Sequence, residues 1–105
     1  MIKVDVSKIH GRGVFATQRI NKGTELICDV MIFENNLKNL KKWSYPWTQT
    51  HFSFCVGFGS FFNHNDIPNL KIKSIDKIKL TKTFVVIKEL NEGDELLLNY
   101  GKNKI

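Results

Sequence analysis

Three short stretches carry the residues with the most chemical potential. Asn63-His64-Asn65-Asp66-Ile67-Pro68-Asn69 sets an amide and an imidazole side by side ahead of a Pro-Asn turn. Glu95-Leu96-Leu97-Leu98-Asn99-Tyr100-Gly101 ends an apolar run on a lone tyrosine, and Gly11-Arg12-Gly13 lies near the N-terminus. A phenol can orient a reacting group through hydrogen bonds without bringing a charge, and glycines let a backbone approach a ligand closely. Each stretch also has a purely structural reading. Gly11-Arg12-Gly13 can be only a tight turn; it lacks the third glycine of a dinucleotide fingerprint and no long helix follows, which argues against a Rossmann phosphate loop. Asn63-His64 can be a satisfied core pair, and Tyr100 a core aromatic with its hydroxyl capped.

The elements that must position these residues are short. At 105 residues the chain is one domain, too small for a Rossmann sheet plus a substrate domain, and a compact β-rich unit fits better. Lys3-Val4-Asp5-Val6 has the two-residue period of a half-exposed strand, and Gly11-Arg12-Gly13 then forms a loop before the strand at Val14-Phe15-Ala16. Ile20-Asn21-Lys22-Gly23-Thr24-Glu25-Leu26 reads as a glycine turn into a long strand from Leu26 to Phe33, and Leu90-Asn91-Glu92-Gly93-Asp94-Glu95-Leu96 repeats it before Leu96-Leu97-Leu98. Two copies are too few for a solenoid; one turn chemistry is used twice to enter two core strands. Glu34 to Lys42 allows a short helix or a loop, and Trp43, Tyr45 and Trp47 around Pro46 form either a lid on the core or an aromatic wall for a cationic side chain. Leu70-Lys71-Ile72-Lys73 and Thr83 to Ile87 are expected to pair antiparallel, joined by a solvated lysine-rich loop from Ser74 to Lys82.

Composition removes several function classes. The formal charge of +6 comes from 16 Lys+Arg against 10 Asp+Glu, with Arg12 and Arg19 the only arginines, so the bidentate base contacts of a sequence-specific DNA reader are poorly supplied. Cys28 and Cys55 are too far apart for a zinc knuckle and read as two reduced, buried thiols; His51 and Cys55 with Cys28 or His64 make a poor metal set, and no metal is expected. The N-terminus lacks the apolar stretch of a signal peptide and no segment approaches a membrane span of about 20 apolar residues. A soluble intracellular protein is the expectation.

Taken together the motifs resemble the SET-domain family of protein-lysine methyltransferases. Gly11-Arg12-Gly13-Val14-Phe15 is similar to the family's first motif, Asn63-His64-Asn65-x-x-Pro68-Asn69 to its N-H-S-x-x-P-N, and Glu95-Leu96-x-x-x-Tyr100-Gly101 to its E-[LI]-x-x-x-Y-G. The resemblance runs from about Lys3 to Gly101, and in style is closest to the minimal SET proteins known from viruses. It implies a mainly β, β-clip fold of several small curved sheets with a knot-like C-terminal crossing, over residues 1–105 as a single SET domain without pre-SET or post-SET zinc modules. It further implies S-adenosyl-L-methionine on one face and a peptide lysine entering from the other through a narrow channel.

Carried over by residue, the resemblance puts the backbone of Gly11, Arg12 and Gly13 at the methionyl end of the cofactor. The Asn63 side chain would lie near its amino group, and the His64 main chain against the adenine edge. Tyr100 becomes the catalytic phenol, with Tyr45 lining the channel, Trp47 as the alternative wall, and Phe58 and Gly59 on the substrate side, where Gly57 and Gly59 would keep a strand slim. Asn65 stands in place of the family's serine, and Lys104 near the place of a later aromatic, so that a homodimer partner or the substrate would complete the channel. The expected function is S-adenosylmethionine-dependent methylation of a protein lysine, with a histone tail as the family's usual substrate. On that reading the protein works on chromatin in the nucleus; with another substrate it would be cytoplasmic. Acidic residues such as Asp29, Glu34, Asp66 and Asp94 would gather at the peptide groove, or else the basic surface would touch nucleosomal DNA. The alternatives are a catalytically weak or inactive SET-like binding module and a small basic β-domain that binds nucleic acid.

Overall fold

The structure is a computed structural model that describes residues 1–34 and 44–102. Apart from Glu34, the expected helix or loop up to Lys42 lies outside the described residues, as do Trp43 and Lys104. Among the described residues nine strands follow in chain order: β1 (Ile2–Val6), β2 (Arg12–Ala16), β3 (Glu25–Glu34), β4 (Ser44–Pro46), β5 (His51–Cys55), β6 (Asn63–His64), β7 (Leu70–Asp76), β8 (Thr81–Val86) and β9 (Glu95–Leu98). They form a four-stranded sheet in the order β1-β2-β9-β6 and a five-stranded sheet in the order β4-β5-β3-β8-β7. The mainly β fold of small curved sheets expected from the motifs is therefore the fold observed. Its C-terminal strand does not add to an edge: β9 runs between β2, which it pairs antiparallel, and β6, which it pairs in parallel.

Strict alternation explains the long strands. In β3, Leu26, Cys28 and Val30 are buried while Glu25, Ile27, Asp29 and Met31 face out, and β8 buries Lys82, Phe84 and Val86 in the same two-residue rhythm. With Val14 and Ala16 of β2 and Leu96 and Leu98 of β9 they make one core. Burying each of the valine, leucine and phenylalanine side chains contributes about 1.5–3 kcal/mol, enough that a one-residue register slip, which would turn each strand inside out, is excluded.

The repeated turns have a use beyond strand entry. Gly23 and Gly93 both hold positive φ, at 93° and 92°. Ile20 and Leu90 exchange reciprocal backbone bonds of 2.9 Å, Gly23 N–H donates to Val86 O, and Gly93 N–H donates to Ala16 O. Each turn thus caps the strand preceding the other, which locks the two sheets together. Gly23→Ala is expected to lower stability by about 1–2 kcal/mol through left-handed strain alone, since a Cβ there meets nothing within 4 Å. A urea midpoint equal to the parent's would show that this turn carries no such constraint.

Three expectations need correction. Arg12 and Gly13 are the first residues of β2, so the N-terminal loop ends at Gly11. Gly57–Ser60 is a 3-10 turn rather than part of a slim strand, because Gly57 takes φ 76° and turns the chain after β5. The lysine-rich loop shrinks to the four residues 77–80, and Lys82, far from being solvated, has no exposed surface. β7 and β8 extend to Asp76 and Thr81, so the pairing carries Lys82 inward beside Phe84.

Candidate active site

Asn63 is the point on which the three motifs meet. It is buried on β6, and its Nδ2 donates to His10 O at 3.1 Å, to Arg12 O at 3.1 Å and to Glu95 Oε2 at 2.8 Å. Two amide hydrogens are spread over three acceptors, which leaves the Asn63 carbonyl oxygen as its accepting side. Glu95 is held from the other flank by Ser7 Oγ at 2.8 Å, and Gly13 lies so close that a Cβ there would fall 2.2 Å from Glu95 Oε2. The result is a small cradle rich in acceptor oxygen, floored by a glycine backbone. An ammonium group, which has only donors to offer, fits such a cradle.

Asn69 fastens the same segment to β9. Its Nδ2 donates to Glu95 O at 2.9 Å and its Oδ1 accepts from Leu97 N–H at 2.8 Å, so the side chain of the Pro-Asn turn replaces a strand partner. His64 works from the next position. Its Nδ1 accepts the Tyr100 N–H at 2.9 Å, which fixes the Nε2–H tautomer and directs that proton to Asp66 Oδ1, also at 2.9 Å. β6 is the edge strand of its sheet, so its outer side has no strand partner among the described residues.

The phenols form the second half of the site. Tyr100 begins a 3-10 turn separated from the end of β9 by one residue, and its hydroxyl donates to Phe62 O at 2.5 Å. The Tyr45 hydroxyl, from β4, donates to Gly59 O at 2.9 Å. Both phenols therefore hang from carbonyls of one short segment, Gly59 to Phe62. Each has committed its single proton, so both oxygens remain as acceptors only. Burial, and then the Glu95 carboxylate, push the Tyr100 phenol up from its ordinary value, and burial pushes Tyr45 well above its own. Neither ionises near neutrality. A pair of neutral oxygen acceptors is a receptor for an N–H donor that does not add an anion beside it.

The matches to known proteins agree with this geometry. Residues 11–101 match the family described as SET domain. The chain belongs to the SET-domain family. It is 28% identical over 99 residues, 87% of this chain and 67% of the relative, to a histone-lysine N-methyltransferase of Schizosaccharomyces pombe that is specific for lysine 37 of H3. Among solved structures, a Plasmodium falciparum protein assigned as a histone methyltransferase superposes with a TM-score of 0.83 at 25% identity, over 97% of this chain and 94% of that one. Chaetomium thermophilum Polycomb Repressive Complex 2, a humanized mutant bound to the inhibitor GSK126, matches with a TM-score of 0.81 at 18% identity. That match covers 99% of this chain and 15% of the other, and speaks to the fold alone.

Within this SET domain the expected site residues divide. Arg12, Gly13, Asn63, His64, Tyr45, Gly59 and Tyr100 are drawn into the two connected clusters, with Gly11 at φ 48° turning the chain into the cradle. Phe58 packs its ring on Phe62 at 5.8 Å, behind the turn, while Trp47 is half-buried against the core beyond β4. Gly59 is small for a reason other than a slim channel: a Cβ there would lie 2.7 Å from Cys55 Cβ and 3.0 Å from Cys28 Sγ. The four acidic residues are spread over three places in the fold, Asp29 and Glu34 on β3, Asp66 after β6 and Asp94 before β9, and of these Asp66 reaches the site through His64. Glu95 and Asn69 were visible as motif letters yet not read as site residues, and Ser7 carried no sequence signal.

Proposed function

We propose that this SET domain is an S-adenosylmethionine-dependent protein-lysine N-methyltransferase, with a histone tail as its substrate and chromatin as its place of work. The observation that carries the reading is the pair of phenol oxygens held as neutral acceptors by Phe62 O and Gly59 O, next to an acceptor cradle at Asn63. A lysine amine has the donors those oxygens lack, and the methionyl ammonium of the cofactor suits the carbonyls of His10 and Arg12 with Asn63 Oδ1. When bound, S-adenosylmethionine supplies a methyl group on a positively charged sulfur, open to displacement by an amine. Tyr100 and Tyr45 hold the lysine nitrogen by its hydrogens, which turns its lone pair away from both oxygens and along the channel axis. A carboxylate in their place would stabilise both cationic reactants in the ground state; neutral phenols do not. The apolar surroundings of Phe58, Phe62 and Phe84 disfavour the ammonium form of the lysine, whose ordinary pKa is about 10.4. The histone assignment draws support from the S. pombe relative.

Calorimetric titration with S-adenosylhomocysteine tests the cofactor half. A constant near 1 μM, about −8 kcal/mol, is expected for that ligand and none for ATP. His64→Ala removes the acceptor for Tyr100 N–H and is expected to weaken binding about tenfold. Absence of binding by the parent protein, even with a histone H3 peptide present, would remove the cofactor site and with it the enzyme reading.

A further inference from the structure

Lys82 is the one fully buried cation among the described residues. Its Nζ lies 3.8 Å from the centroid of the Tyr45 ring and donates to Ser53 Oγ at 3.1 Å, and Ser53 Oγ donates in turn to Tyr45 O at 3.3 Å. The ammonium is thus tied twice to the residue whose hydroxyl is placed to face the substrate nitrogen. No carboxylate of the described residues lies within ion-pair distance of it. The groups that face it from each packed element are Cys28 opposite on β3, with exposed Asp29 following; Ser53 and Cys55 on β5; Tyr45 on β4; and Ile75 opposite on β7, followed by Asp76. Burial of an unpaired lysine is costly, and an apolar residue would fill the same core position without that cost.

We infer that the buried ammonium of Lys82 is an interior cation of the lysine channel, which opposes a second ammonium at the two phenols and so favours the neutral, nucleophilic amine. This rests on the proposed function. A like charge nearby disfavours the charged form of a neighbour, most strongly where little water intervenes. The substrate ammonium releases its proton to solvent before the lone pair attacks, so no base in the chain is required. During transfer positive charge returns to the nitrogen only in part, whereas the unreactive bound ammonium carries it in full. Lys82 therefore depopulates the unreactive complex more than it opposes the transition state. It raises kcat and KM together and leaves kcat/KM little changed. Burial lowers Lys82 itself to about 8, against a weaker upward pull from the Cys55 and Cys28 thiols. The ammonium is therefore present at pH 7, and its effect fades as pH rises past about 8.

Lys82→Met, close in length and uncharged, tests this. The first readout is the pKa of a 13C-methyl-labelled monomethyl-lysine in a histone H3 peptide, followed by NMR in the complex with S-adenosylhomocysteine. The second is the pH dependence of kcat, which reports ionisation within the complex. The variant is expected to raise the bound-lysine pKa by about half a unit or more, and to lower kcat at pH 7 about threefold with a parallel fall in KM. The two proteins should converge by pH 9. A bound-lysine pKa unchanged by the substitution overturns the inference while leaving the methyltransferase reading intact. A parent protein that neither binds the peptide nor turns over overturns both. Lys82→Gln, which keeps a polar partner for Ser53 without the charge, should shift the same pKa in the same direction. If only Lys82→Met changes the kinetics, the loss is one of Tyr45 placement and the electrostatic inference fails.

Discussion

Tyr100→Phe is expected to reduce turnover at least tenfold while leaving S-adenosylhomocysteine affinity within about twofold of the parent. Among the described residues the hydroxyl hydrogen-bonds to Phe62 O, and the backbone of Tyr100 keeps its bond to His64 Nδ1 when the oxygen is removed. The turn that positions the ring thus survives. What disappears is one of the two acceptors proposed to orient the lysine nitrogen. A tenfold loss corresponds to about 1.4 kcal/mol of transition-state stabilisation, the size of a single oriented hydrogen bond. Phe62 O is left without its partner, so a small loss of stability accompanies the change. Steady-state methyl transfer to a histone H3 peptide, paired with calorimetry, separates the two effects. Turnover equal to the parent's would take Tyr100 out of the chemistry, and a matching loss of cofactor affinity would make it a binding residue instead.

How far these roles could be read before the fold was known depended on the range of the contacts. Gly23 and Gly93 announced their turns because a positive φ is a local demand that glycine meets best, and the alternation of β3 announced its buried face. The Asn63 cradle was legible only as three motifs in order. Its hydrogen bonds join Ser7 to Glu95 and Asn63 to Arg12 across most of the chain, and they exist because β9 is threaded between β2 and β6. A parallel pair of strands needs a crossover whose course no periodicity reveals.

Lys82 shows the opposite failure. Two positions separate it from Phe84 and four from Val86, so strand parity already placed it on their inward face. Counting it among the lysines of a solvated loop hid that signal. Of the aromatics around Pro46, Tyr45 receives a cationic side chain, and that side chain is the protein's own. Trp47 had the same composition cue as Tyr45 but not its place on β4. The hydroxyl of Tyr45 and the register of Tyr45 with Ser53 distinguish the two, and neither is visible in a five-residue window.

Gly13→Ala is expected to weaken S-adenosylhomocysteine binding at least tenfold, although φ at Gly13 is not in the left-handed region. The added Cβ would fall 2.2 Å from Glu95 Oε2, 2.8 Å from the carboxyl carbon and 3.1 Å from Asn63 Nδ2. Relief requires the Glu95 carboxylate to move. Ser7 holds its other oxygen and Asn69 holds its main-chain carbonyl, so relief comes at the expense of the Asn63 bond. Breaking that bond forfeits a hydrogen bond to a charged acceptor, about 1.5–3 kcal/mol, and moves the carbonyls of His10 and Arg12 that Asn63 gathers. Gly11→Ala supplies the contrast. Its Cβ meets nothing within 4 Å, and the cost is confined to left-handed strain at φ 48°, about 1–2 kcal/mol of stability, with binding retained in the folded fraction. Calorimetry and urea unfolding of the two variants decide the matter together. If Gly13→Ala binds as the parent does, the acceptor cradle around Asn63 is a structural joint rather than the seat of the cofactor's ammonium. If Gly11→Ala loses binding as completely as Gly13→Ala, the conformation of the loop before β2, and not the packing on Glu95, governs the site.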